Sequence, residues 1–190
     1  VVNFALKKPA NQSTTLDYRN FNWTADLAVD GNSDGRQSET SRTCSGTQEI
    51  LNVNHTWEVD IGFQIIVKTI TVYGRTDNKA DNQLYGVTLY LGNTSGPWSY
   101  GKQLTSFNQD LPYVFKPDNA IARFISLKRL ANILVICEVT VEGECKRGTY
   151  GPGCNDKCGY CYKENDRCSP TDGRCVDGCE AGWHGYTCKQ

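Results

Sequence analysis

The residues in this chain that could do chemistry are mostly oxygen donors and thiols. The segment Leu27-Ala28-Val29-Asp30-Gly31-Asn32-Ser33-Asp34-Gly35 gathers carboxylates and backbone carbonyls into a short stretch. Hard cations such as Ca²⁺ take about six to eight such oxygens in flexible geometry. The same residues are strong turn formers, so the composition fits a cation loop and an ordinary Asp-Gly turn alike. Catalytic groups are scarce. The two histidines are His55, beside a strand pattern at a surface or rim position, and His184, in a cysteine-rich loop. No nucleophile elbow, His-Glu-x-x-His pair or phosphate-binding glycine loop occurs, so the chain is not expected to be an enzyme. Zinc fails for a similar reason: it needs two CxxC pairs, and only Cys158 and Cys161 have that spacing.

The ten cysteines divide unevenly, with Cys44 and Cys137 far apart and eight others between Cys145 and Cys188. An even count clustered in this way reads as a disulfide framework, which persists in oxidising compartments. Four acceptor sequons for N-linked glycan, at Asn11, Asn22, Asn54 and Asn93, point the same way. The expected location is extracellular, in a secreted protein or a cell-surface ectodomain. No stretch in this fragment approaches the roughly 20 apolar residues of a membrane span. A net charge of -1, from 20 basic and 21 acidic residues, provides no field to collect nucleic acid.

Residues 1–143 alternate apolar and polar positions in short runs: Trp57–Ile61, Ile65–Tyr73, Val87–Leu91, Tyr113–Phe115, Ala122–Lys128 and Leu134–Val141. Such runs, with no helical crossovers between them, predict an all-β sandwich with one core. The first forty residues are rich in Asn, Asp, Ser and Thr and are expected to be mostly loop. In the last run Val135, Cys137, Val139 and Val141 would share one face. Pairing Cys137 with Cys44 would tie that strand to the loop after Asp30; two buried free thiols are the alternative. Residues 144–190 lack alternation and cannot bury a core unaided, so disulfides must hold that module together.

Several motifs in order carry a family resemblance. Asn3-Phe4-Ala5-Leu6-Lys7-Lys8-Pro9-Ala10-Asn11-Gln12-Ser13, Ala28-Val29-Asp30-Gly31-Asn32, Trp57-Glu58-Val59-Asp60-Ile61-Gly62, Ile70-Thr71-Val72-Tyr73 and Cys137-Glu138-Val139 resemble F-type lectin (fucolectin, discoidin-like) domains. The resemblance implies a β-sandwich jellyroll with a structural Ca²⁺. The ion would be held by the Leu27 carbonyl, Asp30 side chain, Asn32 carbonyl, Thr43, Cys137 carbonyl and Glu138 side chain. Fucose-binding members use a histidine two residues after the loop cysteine and two arginines seven residues apart. Here the first arginine matches Arg75, the second position is Asn82, and the histidine position is Gly46. The adjacent cysteine pair that often follows the first arginine is replaced by Asn78 and Lys79. Arg75, Asp77, Lys79, Asn82 and His55 are the candidate ligand donors.

Two stretches of the C-terminal part carry a second resemblance. Cys179-Glu-Ala-Gly-Trp183-His184-Gly185-Tyr186-Thr-Cys188 resembles the closing loop of an EGF-like domain. Cys145 to Cys154 is similar to the start of the eight-cysteine variant in angiopoietin receptors and multiple-EGF scavenger receptors. That resemblance implies the pairs Cys145–Cys154, Cys158–Cys168, Cys161–Cys175 and Cys179–Cys188, with laminin-type pairing as the competitor. The expected function is a Ca²⁺-stabilised extracellular recognition module for a glycan or glycoprotein. The alternative is an adhesion or receptor ectodomain that uses a degenerate lectin scaffold to bind a protein partner.

Overall fold

A computed structural model describes residues 2–36, 42–77, 83–96, 111–163 and 167–190. The chain is all-β: a jellyroll sandwich followed by a small disulfide-rich module. The elements are β1 (Ala10–Gln12), β2 (Asp17–Tyr18), β3 (Phe21–Asn22), a 3₁₀-helix (Ala25–Val29), β4 (Ser45–Gly46), β5 (Val53–Tyr73) and β6 (Thr88–Gly92). They continue with β7 (Tyr113–Phe115), β8 (Ala120–Ala131), β9 (Val135–Ile136), β10 (Glu138–Cys145), β11 (Thr149–Tyr150) and β12 (Asp156–Lys157). The main sheet runs β1-β5-β8-β6, with β10 and β7 also pairing with β5; all of these pairs are antiparallel.

The long strand β5 is the spine of the sandwich, and it joins two runs that the alternation pattern separates at Gly62. Between Asp60 and Ile65 its register with β8 slips. Gly62 sits there at φ +93°, a conformation that favours glycine, and its N–H donates to Asp60 Oδ1 at 2.7 Å. A second slip follows. Glu142 pairs with Thr69 but Gly143 pairs with Val67, which leaves Lys68 as an extra residue. Trp57, Val59, Ile61, Ile65 and Val67 point inward at odd positions, and after the slip Ile70 and Val72 point inward at even ones. The adjacent Lys68 and Thr69 are where a strict two-residue period must break if both halves are to face one core.

These side chains meet Val87, Leu89, Leu91, Tyr113, Ile125, Leu127, Val139 and Val141 in one large buried cluster. The 3₁₀-helix closes one end: Ala25, Ala28 and Val29 are buried, and Trp57 Nε1 donates to the Ala25 carbonyl at 3.0 Å.

The Leu134–Val141 run differs from the single strand expected. It splits at Cys137 into β9, which pairs with β4, and β10, which pairs with β5. Residues 133 to 139 are consequently all buried, so no alternating face runs through Cys137. Changing sheets covers both sides of the chain, which the alternation pattern does not anticipate.

Strand β10 continues through residues 143 and 144 to Cys145, whose disulfide to Cys154 packs on the main core. Beyond it the module has little apolar interior. Its buried cluster is Cys161, Cys175 and Cys188 with Cys168 and Cys179 against them, held by Cys158–Cys168, Cys161–Cys175 and Cys179–Cys188. No cysteine is free. Among the described residues, no helix is long and apolar enough to cross a membrane.

Candidate functional site

Two groups of residues meet where the 3₁₀-helix, β4 and the β9–β10 junction come together. The first is centred on Glu138. The 3₁₀-helix ends at Asp30, and Gly31, at φ +95°, turns the chain so that its N–H donates to Glu138 Oε2 at 3.2 Å. Asp30 Oδ1 then accepts from Asn32 N at 2.7 Å and Asn32 Oδ1 from Asp34 N at 3.1 Å, a chain of side-chain-capped turns. Thr43 Oγ1 donates to the Asp34 carbonyl at 2.6 Å and lies within 3.2 Å of the Arg36 carbonyl. The Cys44–Cys137 disulfide binds the residue after Thr43 to the residue before Glu138. Asn3 supports the arrangement from below, accepting from the N–H groups of Ala5 and Val141, while Lys7 N donates to the Val29 carbonyl at 2.7 Å.

Glu138 is only 1 % exposed, and its Oε1 has no hydrogen-bond partner among the described residues. Burial pushes its carboxyl up to about 7; the Asp30 charge adds to the rise and the Gly31 N–H opposes it. A buried carboxylate oxygen left unpaired, with a second carboxylate nearby, is costly unless a proton or a cation offsets the charge. Among the described residues no three His, Cys, Asp or Glu side chains cluster as metal ligands. The donors present are two carboxylates, a hydroxyl and loop carbonyls, a set that suits a hard cation and not zinc. Thr43 donates its hydroxyl hydrogen to the Asp34 carbonyl, and a hydroxyl oxygen is among the ligands a hard cation takes. Of the six residues assigned to the cation, the structure draws Asp30, Thr43, Cys137 and Glu138 together through these bonds. Leu27 and Asn32 lie on the same segment as Asp30.

The second group is centred on Trp23. Gly46 N donates to the Trp23 carbonyl at 3.0 Å, and Gln12 Nε2 donates to the carbonyls of Trp23 at 2.8 Å and Gly46 at 3.0 Å. The indole packs with Cys44, Cys137, Ile133 and Val135 in a small apolar cluster separate from the main core. A Cβ at Gly46 would lie 2.7 Å from Trp23 Cε3, so the indole occupies the space that a side chain at this position would need. Arg75, just past the end of β5, lies 5.9 Å from the Trp23 ring and pairs with Asp77, Nε to Oδ1 at 2.5 Å.

Trp23, Gly46, Arg75 and Asp77 are therefore neighbours, whereas Lys79 and Asn82 lie outside the described residues. His55 does not belong to this group, and its assignment as a rim-exposed donor is corrected. It is 1 % exposed, and its Nε2 donates to the Ile50 carbonyl at 3.1 Å. His55 shares the inward face of β5 with Trp57 and Val59, a placement that the two-residue period carries. No sequence pattern marks Trp23, which stands in the middle of the Asn22 sequon, outside any alternating run.

No protein-family model matches the chain, and no curated protein matches it. Solved structures do. A fucose-binding module of Streptococcus pneumoniae is 26 % identical, with a TM-score of 0.61, over 75 % of this chain and 96 % of that one. The lectin domain of lectinolysin, solved with Lewis B antigen, is 24 % identical with a TM-score of 0.63, over 76 % of this chain and 98 % of that one. A fucolectin from striped bass (Morone saxatilis) serum is 24 % identical with a TM-score of 0.60, covering 75 % of this chain and 48 % of that one. The structural neighbours of the sandwich are F-type lectin and fucose-binding modules, which are carbohydrate-binding proteins.

Proposed function

We propose that this chain is a non-catalytic extracellular recognition module: a Ca²⁺-stabilised F-type lectin-like sandwich over residues 1–143, joined to an EGF-like module over residues 144–190. The observation that carries the glycan reading is the likeness to the pneumococcal fucose-binding module along almost its whole length. The ligand end is the Trp23, Arg75 and Asp77 group. Arg75 supplies charged hydrogen-bond donors, backed by the buried Trp23 indole 5.9 Å away. Leu27, Asp30, Asn32, Thr43, Cys137 and Glu138 would hold Ca²⁺, whose charge would offset the two carboxylates and tie these loops together. Four disulfides in the C-terminal module and the absence of free cysteines support an extracellular location.

The preferred glycan is other than simple fucose, because Gly46 carries no donor and Trp23 fills its space. A glycan array followed by titration calorimetry, both in Ca²⁺, tests this. Binding to a complex glycan that Arg75→Ala abolishes is expected, and absence of binding to every sugar would remove the lectin reading. That same filling of the histidine position favours a second reading, a protein-binding adhesion or receptor ectodomain. Binding to a partner that survives enzymatic removal of all its glycans would select this reading.

A further inference from the structure

Three of the four sequons meet on one face of the main sheet. Residues 54, 56 and 58 of β5 alternate outward, opposite to His55, Trp57 and Val59. Asn11 of β1 lies directly across from Glu58, on the same face. The hydroxyl residues of two sequons touch: Ser13 N donates to the Thr56 carbonyl at 2.9 Å, and Thr56 N donates to Ser13 Oγ at 3.1 Å. The third sequon folds onto the same spot. Ser95 Oγ and Gly96 N donate to the two oxygens of Glu58 at 2.5 and 2.9 Å, and Ser126 Oγ adds a third bond at 2.7 Å. Asn11, Asn54 and Asn93 are all exposed. Asn54 and the point opposite Asn11 are four strand residues apart, about 13 Å.

A cavity of about 230 Å³ opens among these groups, walled by Asn11, Thr56, Glu58 and Ser95. Its size and polar lining resemble a small ligand site. Glu58, however, spends its oxygens on Ser95, Gly96 and Ser126, and sequon residues form the rim. Across from Asn54 stands Leu130, 70 % exposed, with Leu51 at 76 % near the same strand end.

We propose that Asn11, Asn54 and Asn93 each carry an N-linked oligosaccharide, and that the three together sheathe the outer face of β1, β5 and β8, cavity included. In each transfer the C1–O bond of a lipid-diphosphate-linked oligosaccharide breaks and a C1–Nδ2 bond forms. The lipid diphosphate leaves, and the amide loses one proton to solvent. The proposal shares with the glycan-binding reading only the extracellular compartment, and it stands if no sugar is bound.

The test uses the whole chain, expressed behind a secretion leader in glycosylating eukaryotic cells and recovered from both medium and cells. Peptide mapping after amidase release of the sugars in heavy-oxygen water marks each occupied asparagine. All three are expected to be marked, and an unmarked Asn11, Asn54 or Asn93 overturns the proposal. Hydroxyl-radical labelling of glycosylated and sugar-free protein then reads coverage, with an Asn11→Gln, Asn54→Gln, Asn93→Gln variant as the second sugar-free form. Labelling of Leu130 is expected to fall several-fold in the glycosylated chain while that of Trp183 stays constant. Equal labelling of Leu130 in both forms also overturns the proposal.

Discussion

Glu138 and Gly46 show how single positions define the two halves of the site. Glu138 is buried with one oxygen unpaired among the described residues, an arrangement that persists only if something offsets its desolvation. If that is Ca²⁺, Glu138→Gln should weaken Ca²⁺ binding at least about tenfold, or about 1.4 kcal/mol, in titration calorimetry. Unchanged affinity would remove Glu138 from the ligand set. Asp60 is a contrasting carboxylate. It accepts from Arg123 Nε and an Arg123 terminal nitrogen, both at 2.7 Å. These bonds, helped by the Gly62 N–H, hold its carboxyl below the usual range against a desolvation that acts the other way. Its folded-state pKa is depressed, so its contribution is present above the unfolded value near pH 4 and is lost as pH falls through the folded value. Both partners are partly exposed, so solvent screening keeps the gain small. Urea unfolding at pH 6 and pH 3 should show the native chain losing more stability on acidification than Asp60→Asn does.

At the scale of elements, the slip between Glu142 and Gly143 is the device that keeps both halves of β5 facing one core. Gly143 is required there because an added Cβ would come within 2.4 Å of the Ile66 carbonyl oxygen, a backbone atom that cannot move aside. Gly143→Ala is expected to cost about 2 kcal/mol or more in denaturant unfolding. The same change at Gly62 costs stability through its positive φ alone, since nothing lies within 4 Å of a Cβ there. Similar stability of Gly143→Ala and the native chain would show that the bulge can relax.

For the whole molecule, the Cys44–Cys137 bond, 93 residues apart in sequence, joins two segments that both border the proposed cation site. The chain-entropy estimate for a loop of that size is roughly 4 to 5 kcal/mol. The double variant Cys44→Ser, Cys137→Ser should lose stability of that order. Chelator should lower the melting temperature of the native chain, because an ion held only by the folded state stabilises it by mass action. It should lower that of the double variant less, since the loops that present the ligands are then no longer tied together. Identical melting curves for the native chain with and without chelator would refute the cation.

The sequence by itself determined the all-β class. Alternation in Trp57–Ile61, Ile65–Tyr73 and Val87–Leu91 reflects burial of one face, a local property that survives without coordinates. Motif order brought the lectin-like reading to Asp30, Glu138 and Arg75. Tertiary structure decided what depends on neighbours distant in the chain. Residues 133–139 are covered on both sides because the chain changes sheets at Cys137. Trp23 closes over Gly46 because β4 lies beneath it. His55 turns inward because Val53–Tyr73 is one strand whose inward face is set by the core. Burial, packing and the filling of a vacated site are pairwise facts between remote segments, and a one-dimensional pattern records only one member of each pair.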